Sequence, residues 1–220
     1  MKAVVLLSGG LDSTTVAYLA HRSGYEIYAL TVLYGQRHER EIEAAKAVCS
    51  ALGVAEHRIA EVSFGDWGSS LTGSGEIPVG GVADEIPSTW VPMRNLIFLS
   101  MASAYGEVVG ADAIFIGVGQ VDYSGYPDCR EEFIDAYQRA ANLASKQYVE
   151  SGESIPVITP LMHLNKAGTI QLGLSLGVDY DLTWSCYQGG DEPCGVCDAC
   201  RIREAAFAEV AALQSRSSND

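Results

Sequence analysis

The sequence predicts an α/β protein built on a doubly wound, mostly parallel sheet, with a small four-cysteine segment at its carboxyl end. Two observations carry that expectation. Short apolar, β-branched runs alternate with longer stretches of helical periodicity from residue 3 to residue 176. The periodicity then gives way to a Cys- and Gly-rich stretch over residues 183–200. A chain of 220 residues that is 48% hydrophobic can bury one substantial core. Disorder is therefore expected only in the Gly/Ser-rich stretch 65–84 and the polar tail 214–220.

Taken in order, the first strand is expected over residues 3–7, an unbroken apolar run that leads directly into Ser8-Gly9-Gly10. A helix over 13–22, a strand over 27–33, a helix over 37–52 and a short strand over 57–62 follow. The next helix spans 94–109, the next strand 113–118 and the next helix 131–149. A strand-like run over 155–159 is then broken by Pro160. Asn165 is placed to cap a helix over 166–176, and an amphipathic helix over 201–213 comes last. In such a sheet ligands bind beyond the carboxyl ends of the strands. The segments that follow strands, 8–13 and 122–130, are therefore the candidate site.

Twenty-eight acidic residues against fourteen basic ones give a net charge of -14, which disfavours a nucleic-acid backbone as partner. The run Arg37-His38-Glu39-Arg40-Glu41 mixes signs and reads as a solvated helix face, His38 included. No apolar run approaches the ~18 residues of a membrane span. Met1-Lys2 leads straight into the first strand without a secretory stretch, so the chain is expected to be cytoplasmic. In a reducing compartment six cysteines do not form a disulfide framework, and the crowding of four of them points to a metal.

Ser8-Gly9-Gly10-Leu11-Asp12-Ser13 joins a strand to a helix. Its glycines let the backbone approach a ligand, and successive N–H groups at a helix start attract an anion. Ser8 and Ser13 add hydroxyl donors, and Asp12 is suited to a place beside Mg²⁺ on phosphates, with helix capping by Asp12 or Ser13 as the plainer alternative. Cys186, Cys194, Cys197 and Cys200 are spaced C-x7-C-x2-C-x2-C with Gly189, Gly190 and Gly195 among them. Four thiolates so spaced close tetrahedrally on one Zn²⁺ and leave no open position, so the ion is structural; an iron–sulfur cluster makes similar demands. Cys49 belongs to an amphipathic helix and is expected in the core. The segment 121–130 holds two carboxylates, a thiol, a guanidinium and two phenols within ten residues.

The hexapeptide 8–13 resembles the pyrophosphate-binding loop of the N-type ATP pyrophosphatases, the family of GMP, asparagine and NAD synthetases, and lacks the Gly-Lys-Ser/Thr close of a Walker loop. Together with Gln36-Arg37-His38, Pro92-Met93-Arg94-Asn95, the block from Asp122 to Arg130 and the run from Thr159 to Ala167, it makes the chain similar to the 7-cyano-7-deazaguanine synthases over about residues 4–201. One departure is Gly168, where that family is expected to carry Glu. The resemblance implies an adenine nucleotide α-hydrolase-like fold with an ATP-binding catalytic domain over 1–182 and a zinc-binding segment with its helix over 183–220. It implies ATP on Ser8, Gly9, Gly10, Leu11, Asp12 and Ser13, with Arg94 and Lys166 as cationic partners. Asp122, Tyr123, Tyr126, Asp128 and Arg130 are the candidates for the deazapurine, with Cys129 as packing or substrate contact. The implied reaction converts 7-carboxy-7-deazaguanine, ammonia and ATP to the nitrile through activated carboxylate and amide. A homodimer without nucleic-acid or membrane partners is expected. The competing reading, a tRNA-modifying pyrophosphatase-loop enzyme of the thiolation type, sits poorly with the acidic charge.

Overall fold

Strand β1 (Lys2–Leu6) is buried along both faces from Ala3 onward, as an unbroken apolar run must be at the centre of a sheet covered by helices. In the computed structural model, which describes residues 1–36, 40–64, 68–72, 86, 88–119 and 126–217, β1 pairs in parallel with β2 (Glu26–Leu33) and with β4 (Ala113–Phe115). Strands β3 (Glu56–Glu61) and β5 (Val157–Ile158) complete an all-parallel order β3-β2-β1-β4-β5.

Alternation along β1 sorts the core into two layers. Ala3, Val5 and Leu7 point to the face covered by α1 (Leu11–Arg22) and α2 (Arg40–Leu52), where they meet Val16, Ala20, Ala45 and Val48. Val4 and Leu6 point to the face of α3 (Arg94–Val109) and α4 (Glu131–Ala144), against Leu99, Ala102, Ile134 and Tyr137. Helix α6 (Lys166–Leu176) and the last helix, which takes in Cys200 and runs Asp198–Ser217, share a third cluster of Leu11, Ala167, Ile170, Tyr180, Ala206 and Val210. Among the described residues no helix is long and apolar enough to cross a membrane.

The strands expected over 113–118 and 155–159 shorten to β4 and β5, and three helix boundaries shift. Helix α1 begins at Leu11 rather than at residue 13, which turns Asp12 and Ser13 into first-turn residues instead of caps. The stretch 131–149 is two helices, α4 and α5 (Lys146–Ser151): Ser145 is extended (φ -82, ψ 129), and its hydroxyl accepts from the Tyr148 N–H while its own N–H closes the turn on the Asn142 carbonyl. A serine that bonds nearby backbone competes with helix continuation. The last helix, α7 (Asp198–Ser217), starts three residues early and so takes up Cys200. Most of the Gly/Ser-rich stretch, at 65–67 and 73–84, lies outside the described residues, as do Asp122, Tyr123 and the Arg37-His38-Glu39 segment.

The chain leaves β1 towards β2 on one side and later returns to β4 on the other. That reversal opens a crevice beyond the carboxyl ends of β1 and β4. Ser8 follows β1 and Gly117 follows β4, and the two segments touch: a β-carbon on Gly117 would come within 3.0 Å of the Ser13 nitrogen.

Candidate active site

The loop after β1 is tied into a compact ring. Gly9 takes φ +84, Gly10 caps α1 with no side chain bonded to the helix start, and the Ser8 and Ser13 hydroxyls meet at 3.0 Å. The Gly10 N–H donates to Ser8 Oγ at 3.2 Å, and Ser13 Oγ donates to the Gly10 carbonyl at 3.2 Å. An N-terminus held this way offers backbone N–H groups and the positive end of the helix to an anion. Leu11 turns its side chain into the cluster with Ala167 and Ile170 and so anchors the loop.

Asp12 faces Lys166 from the start of α6: both carboxylate oxygens accept from Nζ, at 2.9 and 2.8 Å. Asn165 caps α6 by accepting from the Gly168 N–H at 2.8 Å, as the sequence led one to expect, and this fixes where Lys166 emerges. The pair lines a cavity of about 270 Å³ that runs from Ser8 and Ser13 to Arg94, Tyr126 and Cys129. A contiguous chamber of about 250 Å³ continues past Gly10 to Trp184 and Arg203.

The far end is aromatic and cationic. Arg94, the first residue of α3, follows Met93 in the left-handed region (φ 59) and lies over the Tyr34 ring at 5.7 Å. Burial alone would lower the Arg94 pKa, but the facing Tyr34, Cys129, Asp128 and Tyr126 groups hold it above its ordinary range, so the guanidinium stays charged. Tyr34 is pushed up to about 12, chiefly by burial and then by Glu41. Burial, reinforced by Asp128, also takes the Cys129 thiol up to about 12, so Cys129 is a neutral contact rather than a thiolate nucleophile. Tyr126 is buried with its hydroxyl 2.7 Å from Thr89 Oγ1. Asp128 turns inward, its carboxylate accepting from the Asn95 N–H at 3.0 Å, and its carbonyl accepts from Asn95 Nδ2 at 3.1 Å. It thereby joins the segment before α4 to the start of α3 and is not part of the cavity wall. Arg130 is exposed at the start of α4, also away from that wall.

The four clustered cysteines have their sulfurs within 4.8 Å of one another, with Cys194 and Cys200 at 4.0 Å. Tetrahedral coordination at a metal–sulfur length of ~2.3 Å places sulfurs about 3.8 Å apart, so the donor set fits one ion. Backbone N–H groups of Gln188 and Cys194 point at Cys186 Sγ, and that of Cys197 at Cys194 Sγ, each at 3.4 Å. This cluster is fastened to the loop after β1. The Trp184 N–H donates to the Gly9 carbonyl at 3.0 Å, the Trp184 indole N–H donates to the Cys186 carbonyl at 2.9 Å, and Arg40 lies over the Trp184 ring.

A family model described as queuosine biosynthesis protein QueC matches residues 2–211. The chain belongs to the QueC family. It is 54% identical over 212 residues to a protein of Frankia casuarinae named 7-cyano-7-deazaguanine synthase, covering 94% of this chain and 90% of that one. To a protein of the same name from Ralstonia nicotianae it is 53% identical over 216 residues, with 96% of each chain covered. Among solved structures, a predicted subunit of tRNA methyltransferase from Methanocaldococcus jannaschii matches with a TM-score of 0.51 at 18% identity, over 79% of this chain and 74% of that one; this likeness concerns the fold alone.

In this QueC-family chain the crevice gathers Ser8, Asp12, Ser13, Arg94, Tyr126 and Lys166 in one place, as the sequence reading anticipated, and leaves Asp128 and Arg130 off the wall. The wall also holds residues that reading passed over. Tyr34 and Gly117 had no local signal, and Asn95 was quoted only within its motif, without a role. Glu41, assigned to a solvated helix face, instead stands half-buried in the cavity, because the first turn of α2 docks on Gly9. Arg203 reaches from α7 to the Tyr180 carbonyl at 2.8 Å and to Thr183 Oγ1 at 2.8 Å, lining the second chamber.

Proposed function

We propose that the chain is an ATP-dependent ligase that converts 7-carboxy-7-deazaguanine and ammonia into 7-cyano-7-deazaguanine. The observation that carries this reading is the single crevice in which an uncapped, glycine-led helix start and the Asp12–Lys166 pair open onto an aromatic, cationic end of ring-binding character. The high identity to proteins bearing that enzyme name supports the choice of substrate.

A carboxylate has no leaving group for ammonia to displace, so its oxygen must first take a nucleotidyl or phosphoryl group from ATP. Ammonia then gives the amide, and a second activation at the amide oxygen followed by elimination gives the nitrile. Residues 8–13 supply N–H and hydroxyl donors to the phosphates, and Lys166 supplies positive charge where negative charge builds up on them. Asp12 is the side chain that would hold Mg²⁺, whose contribution is to neutralise phosphate charge. Arg94, Tyr34 and Tyr126 bind the deazapurine end, assisted by Asp122 and Tyr123. Zn²⁺ suits the four thiolates, and in the closed segment 183–220 it has the character of a fold-fastening ion, distinct from the ATP-binding part over 1–182.

Incubation with ATP, ammonium and 7-carboxy-7-deazaguanine, followed by mass analysis, should show amide and then nitrile. Asp12→Ala should abolish both products while leaving the circular dichroism spectrum unchanged. Wild-type protein that forms neither product would overturn the substrate assignment, and an active Asp12→Ala variant would overturn the phosphate role.

A further inference from the structure

Each nitrogen-bound step of this reaction releases a proton, and no side chain assigned above accepts it. When ammonia adds to the activated acyl carbon, the new C–N bond leaves a cationic nitrogen. That nitrogen must lose H⁺ before the C–O bond to the activating group breaks. In the second half the O-activated amide carries two N–H protons: one leaves to give the neutral imidate, and the last leaves as the C–O bond breaks and the C≡N bond completes. One well-placed base serves all of these events, because the same nitrogen is deprotonated each time.

The described cavity wall offers few candidates. Asp12 is engaged on both oxygens by Lys166. Asp128 turns its carboxylate to the Asn95 N–H, away from the wall. Cys129 and Tyr34 are both pushed up to about 12, so neither ionises near neutrality. Glu41 is the other carboxylate on the described wall, and it borders both chambers, between the loop after β1 and Arg94. Its place is fixed from behind. The first turn of α2 lies against the Gly9 backbone so closely that a β-carbon on Gly9 would collide with the Glu41 carbonyl, and so the side chain is carried on the element that touches the phosphate loop.

We propose that Glu41 is the base that takes the nitrogen-bound protons, first from the ammonia adduct and then from the activated amide. This rests on the reaction assigned under Proposed function. The groups that face Glu41 suit the task. Arg94 lies across the cavity on α3, Tyr34 at the end of β2, Tyr126 and Cys129 on the segment before α4, and Asp12 and Lys166 at the starts of α1 and α6. Burial raises its carboxyl to about 7, with Arg94 pulling the other way, so it changes charge near neutrality and can pass the proton on to solvent after each step.

The test separates activation from proton removal. Hydroxylamine traps the activated acid as a hydroxamate, and because its adduct is far more acidic than that of ammonia, it gives its proton to water without a strong base. Wild-type protein, Glu41→Gln and Glu41→Ala are compared with ATP and 7-carboxy-7-deazaguanine, using ammonium or hydroxylamine, with rates expressed against free ammonia. Both variants should form amide about 100-fold or more slowly. Both should lose the acidic limb that wild type shows near pH 7. Hydroxamate formation should fall only a few-fold, which also reports a folded site, and added formate should restore amide formation in Glu41→Ala. Amide formation within a few-fold of wild type, or equal loss of amide and hydroxamate in both variants, overturns the role of Glu41 and leaves the reaction standing. Wild-type protein that forms neither amide nor hydroxamate overturns the reaction, and the role of Glu41 with it.

Discussion

A single missing side chain at Gly9 holds the site together. Its positive φ and its contact with the α2 backbone leave no room for a β-carbon, so Gly9→Ala must move either the loop or the helix. The expected loss is on the order of 3 kcal/mol in urea unfolding, together with ATP-dependent turnover. Glu41, on the helix so docked, carries a folding cost of its own. Its carboxyl is raised in the folded chain to about 7, so the folded state binds a proton more tightly than the unfolded state does. That group's contribution to stability is therefore lost as pH climbs from the ordinary carboxylate range through about 7. Glu41→Gln should unfold at higher temperature than wild type at about pH 8, by roughly 1–3 kcal/mol, with the gain shrinking towards about pH 5. A gain that does not vary with pH would show that the side chain is not a buried acid. None of this was legible locally. The mixed charges of residues 37–41 read as a surface, and Glu41 is half-buried because Gly9 and Arg94, distant in sequence, lie around it. The pairing of Asp12 with Lys166 was closer to hand, since each begins a helix that follows a strand and faces the same crevice.

At the scale of elements, the unbroken apolar run of β1 and the runs of β2 and β4 made the sheet readable, because central parallel strands must be apolar on both faces. The break at Ser145 was not readable, since the residues around it favour helix and only the hydroxyl's bond to the Tyr148 N–H reveals the cap. Helix α6 shows what an absent residue does. Gly168 occupies the third helical position, where a Glu would reach back to the Asn165 N–H and complete a reciprocal cap. Gly168→Glu should add about 1 kcal/mol by supplying that arm and removing a helical glycine. The gain is tempered by the approach of its β-carbon to Asn165 Oδ1, at 3.1 Å. Thermal unfolding of Gly168→Glu beside Gly168→Gln, whose amide makes the same bond without the charge, measures it.

Across the molecule, the four-cysteine tail is joined to the loop after β1 through Trp184, over whose ring Arg40 lies. The four-cysteine spacing was strong enough to read from sequence, but its bond to Gly9 was not, because backbone hydrogen bonds leave no mark in residue type. Cys197→Ala should lose about one metal ion per chain and several kcal/mol of stability. It should also weaken ATP binding, seen by equilibrium dialysis, although none of the four clustered cysteines lines either chamber. Metal loss with ATP affinity intact would mean that the tail is only tethered. The bond from Trp184 to Gly9 also bears on how the protein is made. The loop after β1 leaves the ribosome well before Trp184, its partner. A nascent chain thus carries that loop unbraced until residue 184 has been made, and premature termination before it yields a sheet whose loop is never braced.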